Sequence, residues 1–239
     1  MESIENLKIG GLRLIQDDHH LKLGVDAILL AAFARPKKRE RACDLGCGNG
    51  VVSLLLLARA SGISIDAVDI DEGACDLSRR NATLNGLEGS MRVHNRDLKD
   101  LSGFGGNYTL VVSNPPYRRM GSGKMPEGEA RRRALFEIDC DINDVTRAAS
   151  RLLQTGGRFC AVYPAERLAD LLCAMREVDI EPKRAAFARH TARHLPTIVL
   201  VEGIKDAGPG MKFVQTLTLK NPKGEETARY KQIYGGGRL

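Results

Sequence analysis

Two hydrophobic patterns alternate along the middle of the chain, from residue 41 to residue 205. Continuous β-branched runs predict buried strands, and apolar positions three and four residues apart predict helices. The predicted strands are 12–15, one directly before residue 46, 65–68, 91–94, 110–112, 158–163, 184–188, 197–202 and 212–219, and the predicted helices are 25–34, 50–60, 72–84, 142–153 and 165–178. This alternation predicts an α/β fold with a mostly parallel sheet, and the late strands joined by turns predict an antiparallel edge.

The predicted strand at 110–112 leads into the sequence Asn114-Pro115-Pro116-Tyr117. Two prolines cannot continue a strand ladder, so the chain must turn outward there. Asn114 and the Pro115 carbonyl can accept hydrogen bonds from an NH2 group on a planar ring or amide, and Tyr117 can stack on that group. The combination predicts methyl transfer to a planar nitrogen, with Asn114, Pro115, Pro116 and Tyr117 as the catalytic residues.

A glycine-rich stretch lies upstream, in which Asp44 is followed by Gly46, Gly48 and Gly50. Glycines at alternate positions let the chain turn tightly and approach a ligand closely. A dinucleotide fingerprint needs its third glycine one residue later, where Val51 lies, so the pattern favours S-adenosylmethionine over a pyrophosphate. We expect the methionyl carboxylate to bind free amides at the following helix start, with Asp44 near the ammonium.

Acidic residues follow the next two predicted strands. Asp69 lies 19 residues after Gly50, a spacing that suits a carboxylate on two ribose hydroxyls, and Ile70 would pack on the adenine. Asp97, which is followed by Leu98, can accept a hydrogen bond from the adenine amine. Because ligands of open α/β sheets bind beyond the carboxyl ends of the strands, the sequence predicts one cofactor cleft at these strand ends.

The predicted helix at 25–34 carries Asp26 in its first turn. Asp26 is expected either to cover the cofactor cleft, as a further cofactor-binding residue, or simply to cap the start of the helix. His19 and His20 lie just before this helix and have no third ligand nearby, so we expect them on the surface and expect no metal site.

Composition limits the class of protein. The 239 residues are enough for one domain, which we divide into an N-terminal cap segment at 1–40, a cofactor-binding and catalytic core at 41–205, and a C-terminal strand and basic tail at 206–239. Six cysteines without a C-x-x-C pair predict reduced thiols instead of zinc ligands or disulfides. No apolar stretch has the length of a signal peptide or a membrane span, so we expect a cytoplasmic protein without membrane contact.

The net charge of +6 is concentrated in two stretches. Residues 118–133 carry six basic and two acidic side chains, and residues 182–194 carry four basic and none acidic, so each stretch is net +4 and the remainder is net −2. Basic charge beside a cleft suits a polyanion, although solvated loops of a basic protein give the same pattern. The long loop at 118–137 would lie over the transferring nitrogen. The candidate RNA contacts are Arg118, Arg119, Lys124, Arg131, Arg132, Arg133, Lys183, Arg184, Arg189 and Arg193.

Three of these motifs together resemble a known family. Residues 44–50, Val68-Asp69-Ile70 and Asn114-Pro115-Pro116-Tyr117 are similar to class I S-adenosylmethionine-dependent methyltransferases that act on planar amino nitrogens. More narrowly, residues 23–30 and 231–235 resemble the bacterial tRNA adenine-N6 methyltransferases that modify the purine beside the anticodon of valine tRNA.

The resemblance implies a Rossmann-like, seven-stranded sheet with its last strand reversed and helices on both faces. It further implies S-adenosyl-L-methionine as the cofactor, the anticodon region of tRNA as the substrate, and a flipped adenine held between Tyr117 and the loop at 118–137. Removal of a base from its stack costs on the order of a few kcal/mol, which the aromatic stack and the basic surface must offset. The sulfonium is already activated, so we expect neither a metal nor a general base with a tuned pKa.

Three alternatives stay open. A protein glutamine amide fits the same clamp, but such enzymes usually carry a sizeable helical region before the glycine loop, and only about forty residues precede it here. A guanine amine in ribosomal RNA could also dock. A noncatalytic RNA-binding module on a decayed fold is the non-enzyme alternative, against which the intact Asn114 and the acidic residues argue.

Overall fold

The computed structural model describes residues 1–117, 128 and 137–239. Its strands are β1 (Glu2–Asn6), β2 (Arg13–Asp17), β3 (Arg41–Leu45), β4 (Ser64–Asp69), β5 (Met91–Asn95), β6 (Tyr108–Ser113), β7 (Leu153–Pro164), β8 (Ile180–Arg189), β9 (Ile198–Lys205) and β10 (Lys212–Thr218). Within the described residues, β1 and β2 form a hairpin, and the other eight strands form one sheet in the order β10-β8-β9-β7-β6-β3-β4-β5. Neighbouring strands of the sheet are parallel except at β9, which runs antiparallel to both β7 and β8.

The predicted α/β class with a mostly parallel sheet is confirmed, and two details of the sheet differ from the expectation. In the described residues it has eight strands instead of seven, and the reversed strand is β9, inside the sheet, instead of the last strand. After the Gly208-Pro209-Gly210 turn, β10 pairs with β8 in parallel and forms the sheet edge. Lys183 on β8 donates to the carbonyls of Gly208 (3.0 Å) and Pro209 (3.3 Å), which holds this turn against β8.

Helices pack on both faces of the sheet, as predicted. They are α1 (Val25–Ala34), α2 (Val51–Leu57), α3 (Glu72–Leu84), α4 (Ile142–Leu152), α5 (Leu168–Arg176), preceded by a 3-10 turn at Ala165–Arg167, and α6 (Ala228–Tyr234). Alternate strand residues enter two cores: Ala42 and Leu110 pack with α1, α2 and α6, whereas Cys43 and Val111 pack with α4 and α5. α1 and α3 have their predicted bounds, α2 is shorter than predicted, and α6 was missed because it lies in the charged tail.

Two asparagines, Asn81 in α3 and Asn85 just after its end, fasten the hairpin of β1 and β2 to the rest of the molecule. Asn81 exchanges hydrogen bonds of 2.6 and 3.0 Å with the main chain of Ile15, and Asn85 exchanges bonds of 2.9 and 2.7 Å with that of Arg13. The sequence predicted only a short strand at 12–15, because every residue of β1 is exposed and the strand has no apolar face to mark it.

Two further findings concern membrane-spanning helices and the cysteines. Within the described residues, no helix combines the length and the apolar character that crossing a lipid bilayer requires. All six cysteines fall in the described part of the chain and are free; Cys43, Cys47, Cys75 and Cys160 are buried, whereas Cys173 is exposed.

Candidate active site

A cleft of about 330 Å³ opens where β3, β4, β5 and β6 end. Its volume lies within the range of about 300–1,000 Å³ typical of small-molecule sites. Eleven residues predicted to bind cofactor or take part in catalysis line it, namely Asp26, Gly46, Gly48, Asp69, Ile70, Asp97, Leu98, Asn114, Pro115, Pro116 and Tyr117. The sheet brings most of them together, because its parallel strands β3, β4, β5 and β6 deliver their carboxyl ends to one edge, and α1 adds Asp26.

The glycine loop is shaped by backbone that only glycine adopts readily, and Gly46 and Gly48 have φ values of 72° and 55°. Three of its amides are already bonded within the protein: Gly46 donates to Val68 (2.9 Å), Gly48 to the Asp69 carboxylate (2.8 Å) and Val51, the first residue of α2, to Asn49 (3.2 Å). The docking of a carboxylate on free amides at this helix start stays a prediction, and these three amides are not the ones available for it.

Two residues of the predicted cofactor set do not line the cleft. Asp44 is only 1% exposed and accepts a hydrogen bond of 2.8 Å from the Ser53 hydroxyl, beneath the loop. Burial raises the pKa of Asp44 to about 7. A Cβ at Gly50 would collide with the side chains of Ser78 and Met91, so this glycine is required for packing against α3 and β5 instead of for ligand approach.

Asp69 is held in place at the end of β4. Its carboxylate accepts from the amides of Gly48 (2.8 Å) and Asp71 (3.0 Å), and burial raises its pKa in spite of these two bonds. Ile70 next to it is 41% exposed and presents an apolar surface to the cleft. An oriented carboxylate beside an apolar wall suits a ribose attached to a planar base, as the sequence predicted.

The cleft has a further wall that the sequence analysis missed. His20 lines it and is only 15% exposed, so the prediction of a surface histidine is wrong. Its Nδ1 atom lies 2.9 Å from the Asp17 carboxylate, and its Nε2 atom lies 3.3 Å from the carboxylate of Asp71, which caps α3. Only the docking of the hairpin on α3 brings these groups together, and no local motif signals it.

A second cavity of about 180 Å³ adjoins the cleft and shares Asp26, Asn114 and Tyr117 with it. Its other lining residues come from β7 and from the start of β9, namely Val162, Tyr163, Pro164, Thr197 and Ile198. The Asn-Pro-Pro-Tyr turn thus stands between two compartments, one on the side of the predicted cofactor and the other open to an acceptor.

Asp26 belongs to this junction. The residue that caps α1 is Gly24, and no side chain makes a capping hydrogen bond there, so the alternative that Asp26 caps the helix is wrong. Burial raises the pKa of Asp26. A carboxylate in this environment is stabilised in its ionised form by a nearby positive charge.

Arg167 binds groups beside the second cavity, on the side predicted to take the methyl acceptor. Its guanidinium donates to the main-chain carbonyl of Tyr117 (2.7 Å) and to the carboxylate of Glu137 (2.6 Å), and it lies 5.1 Å from the centre of the Tyr163 ring. Tyr117 and Tyr163 both line the second cavity. No sequence motif signals a role for this residue, because these partners lie 50 and 30 positions away.

The predicted RNA contacts have different surroundings. Arg184 is only 12% exposed, bonded to Glu202 (3.1 Å) and to the Phe33 carbonyl (2.5 Å), so its guanidinium is a structural group and that prediction is wrong. Lys183 holds the turn before β10, Arg189 donates to Thr218 (3.1 Å) and Arg193 is exposed. Arg118, Arg119, Lys124, Arg131, Arg132 and Arg133 lie outside the described residues, as does most of the predicted loop at 118–137.

Known proteins resemble this chain in sequence or in fold. A methyltransferase from Aeromonas salmonicida named tRNA1(Val) (adenine(37)-N6)-methyltransferase is 34% identical over 67% of this chain and 66% of its own, and one of the same name from Parabacteroides distasonis is 31% identical over 76% of each. The chain thus spans just under two thirds of the first of these relatives. Among solved structures, a predicted O-methyltransferase from Agrobacterium tumefaciens superposes with a TM-score of 0.74 at 18% identity, over 90% of this chain and 98% of its own. The geranyl diphosphate C-methyltransferase of Streptomyces coelicolor, solved with S-adenosyl-L-homocysteine, gives 0.54 at 15% identity, over 75% and 76%.

The sheet and the cleft at its carboxyl edge define a class I S-adenosylmethionine-dependent methyltransferase. The family model described as the methyltransferase small domain matches residues 24–169, and the chain belongs to that family. The resemblance, the class of enzyme and the cofactor predicted from the three motifs are confirmed.

Proposed function

We propose that this enzyme transfers a methyl group from S-adenosylmethionine to N6 of an adenine in tRNA, the adenine at position 37 of valine tRNA being the target. The relatives of that name support the substrate. The observation that carries the reaction type is the location of Asn114 and Tyr117 between two adjoining cavities.

The cleft residues fit the cofactor. The Asp69 carboxylate, already oriented by two amides, has lone pairs left to accept from ribose hydroxyls. Ile70 and Leu98 provide apolar surface for the adenine, and Asp97 an acceptor for its amine. When bound, S-adenosylmethionine supplies a methyl group on a positively charged sulfur. Asp26 is the carboxylate at the junction that would face this charge.

On the acceptor side, the work of the protein is to hold a planar amine. The Asn114 amide oxygen and the Pro115 carbonyl accept the two N–H groups, so that the nitrogen lone pair is directed at the methyl group. Tyr117 stacks on the base. Proximity and orientation of this kind can supply roughly 7 to 11 kcal/mol. The proton leaves the nitrogen after transfer, and no tuned base is required for it.

The test uses the enzyme, methyl-labelled cofactor and bulk tRNA, followed by digestion to nucleosides. Label in N6-methyladenosine is the expected result, and a valine tRNA transcript with guanine at position 37 should accept none. Asn114→Ala should remove most of the label, whereas Asn107→Ala, at the other end of β6, should keep it. Label in guanosine would show another nucleotide target, and label in protein alone would show the glutamine activity; either result overturns the proposal.

A further inference from the structure

The loop between β8 and β9, residues 190–197, is a preformed turn. The His194 amide donates to the Thr191 carbonyl (3.1 Å), the Thr191 hydroxyl lies 2.7 Å from His194 Nδ1, and the His190 and His194 rings meet edge to face at 5.7 Å. The base of the loop is closed by a hydrogen bond of 3.1 Å from the Thr197 amide to the Ala188 carbonyl. These contacts hold the turn in the free protein.

This turn presents Leu195 to solvent. The side chain is 85% exposed, and among large apolar side chains of the described residues only that of Met1 is more exposed. A single exposed leucine needs no special explanation by itself. Its location gives it meaning: Thr197 lines the second cavity, and two residues of extended chain span at most about 7 Å, so the backbone of Leu195 lies within about 7 Å of a residue of that cavity.

The charge around Leu195 identifies the partner. Between Pro182 and Val201 the sequence contains no acidic residue, and the loop exposes Arg193 beside His190 and His194. A phosphate backbone meets no carboxylate from the loop itself, whereas an apolar protein partner would leave Arg193 desolvated.

We propose that Leu195 is a wedge that enters the RNA base stack at the gap left by the methyl-accepting base, while Arg193 contacts an adjoining phosphate. The inference rests on the proposed function, because the base that fills the second cavity must first leave its stack. The vacated gap is apolar on both sides and would otherwise admit water. Apolar side chains fill such gaps in other nucleic-acid complexes, and a wedge held in a fixed turn loses little conformational entropy on insertion.

The experiment uses the full chain and an anticodon stem–loop in two forms, one with adenine and one with 2-aminopurine at the target position. The fluorescence of 2-aminopurine rises when the base leaves the stack. Wild-type enzyme should methylate the adenine and raise the fluorescence. With Leu195→Ala most of the fluorescence rise should disappear, and the single-turnover rate of methylation should fall by about ten- to a hundredfold. Leu195→Met should keep both, and so should Phe213→Ala, an exposed apolar control on β10.

A second substrate separates a wedge from a structural role. When the nucleotide next to the target is abasic, less stacking is lost on flipping, so the defect of Leu195→Ala should shrink. If wild type methylates the adenine and Leu195→Ala matches it in rate and fluorescence, the wedge is overturned and the proposed function stands. A change of oligomeric mass in that variant with unchanged methylation would assign Leu195 to a protein contact and also overturn the wedge. If wild type fails to methylate adenine, the proposed function fails, and the wedge fails with it.

Discussion

Arg167 donates a hydrogen bond of 2.7 Å to the main-chain carbonyl of Tyr117, the last residue of the Asn-Pro-Pro-Tyr turn. The same guanidinium binds Glu137 and Asp170 and is only 15% exposed. A planar fork of donors suits this task, because one group can hold a carbonyl and two carboxylates at fixed angles. The aromatic ring predicted to stack on the acceptor is thereby anchored to the start of α5.

Replacement of Arg167 by Lys should lower kcat by about tenfold, because a point charge keeps the ion pairs but cannot keep the fork. The KM for S-adenosylmethionine should stay near the wild-type value, since Arg167 does not line the cofactor cleft. Steady-state methylation kinetics separate the two effects. Arg176→Lys, at the other end of α5, is the matched control, because its exposed side chain pairs with Glu181 on β8. An unchanged kcat for Arg167→Lys would rule out a positioning role.

Asp69→Ala should weaken binding of S-adenosylmethionine by about tenfold or more, because each hydrogen bond to a charged group contributes roughly 1.5–3 kcal/mol. The loss has two sources, the bonds to the ribose and the bonds that hold the Gly48 and Asp71 amides. Titration calorimetry with the cofactor measures it without any RNA. Asp76→Ala, on the exposed side of α3, serves as control. Wild-type affinity in Asp69→Ala would exclude the predicted ribose contact.

The cofactor side of the site could be predicted from sequence because its residues sit at strand ends within motifs. Asp69, Asp97 and Asn114 each lie at or just after the end of a strand, and a parallel sheet must bring such positions to one edge. Asp44 belongs to the same motif but points into the core, and the sequence does not say on which side of a tight loop a carboxylate lies.

The acceptor side could be predicted only in part, because it depends on long-range pairing. Tyr163 meets Asn114 because β7 pairs with β6. Thr197 reaches the same cavity only because β9 inserts between β7 and β8, and the strand patterns do not specify that insertion. Arg184 shows the same limit for charge. Its sequence neighbourhood is basic, whereas its environment is a buried ion pair with Glu202.

Two of the four predicted RNA contacts on β8 and its loop should behave differently from each other. Arg193→Gln should reduce the dependence of tRNA affinity on log salt by about one unit of slope, because one phosphate contact is lost. Arg184→Gln should leave that slope unchanged and instead lower the free energy of unfolding by about 3 kcal/mol, since Glu202 loses a buried partner. Filter binding across salt concentrations and urea unfolding measure the two quantities. A reduced slope in Arg184→Gln would contradict the buried ion pair.

Asp44 should make the enzyme less stable as the pH rises. Burial raises the pKa of Asp44 from its ordinary value of 3.8 to about 7, and the nearby charge of Asp69 adds to this effect, while the bond from Ser53 opposes it. Between these two pH values the unfolded chain has released the proton and the folded chain still holds it. The free energy of unfolding therefore falls from about pH 4 to about pH 7 and is level above that. The full fall from this one group is on the order of 4 kcal/mol.

Asp44→Asn should remove the fall in the free energy of unfolding between about pH 4 and pH 7. At pH 8 this variant should be more stable than wild type, because the amide oxygen can still accept from Ser53 and no charge is buried. Ser53→Ala is the informative companion. It removes a bond that favours the ionised carboxylate and so raises the pKa of Asp44 further. The free energy of unfolding should therefore continue to fall to a higher pH than in wild type. Urea unfolding of the three proteins at intervals from pH 4 to pH 8 provides the comparison. A wild-type slope in Asp44→Asn would mean that Asp44 ionises at its ordinary pKa and that water reaches it beneath the glycine loop.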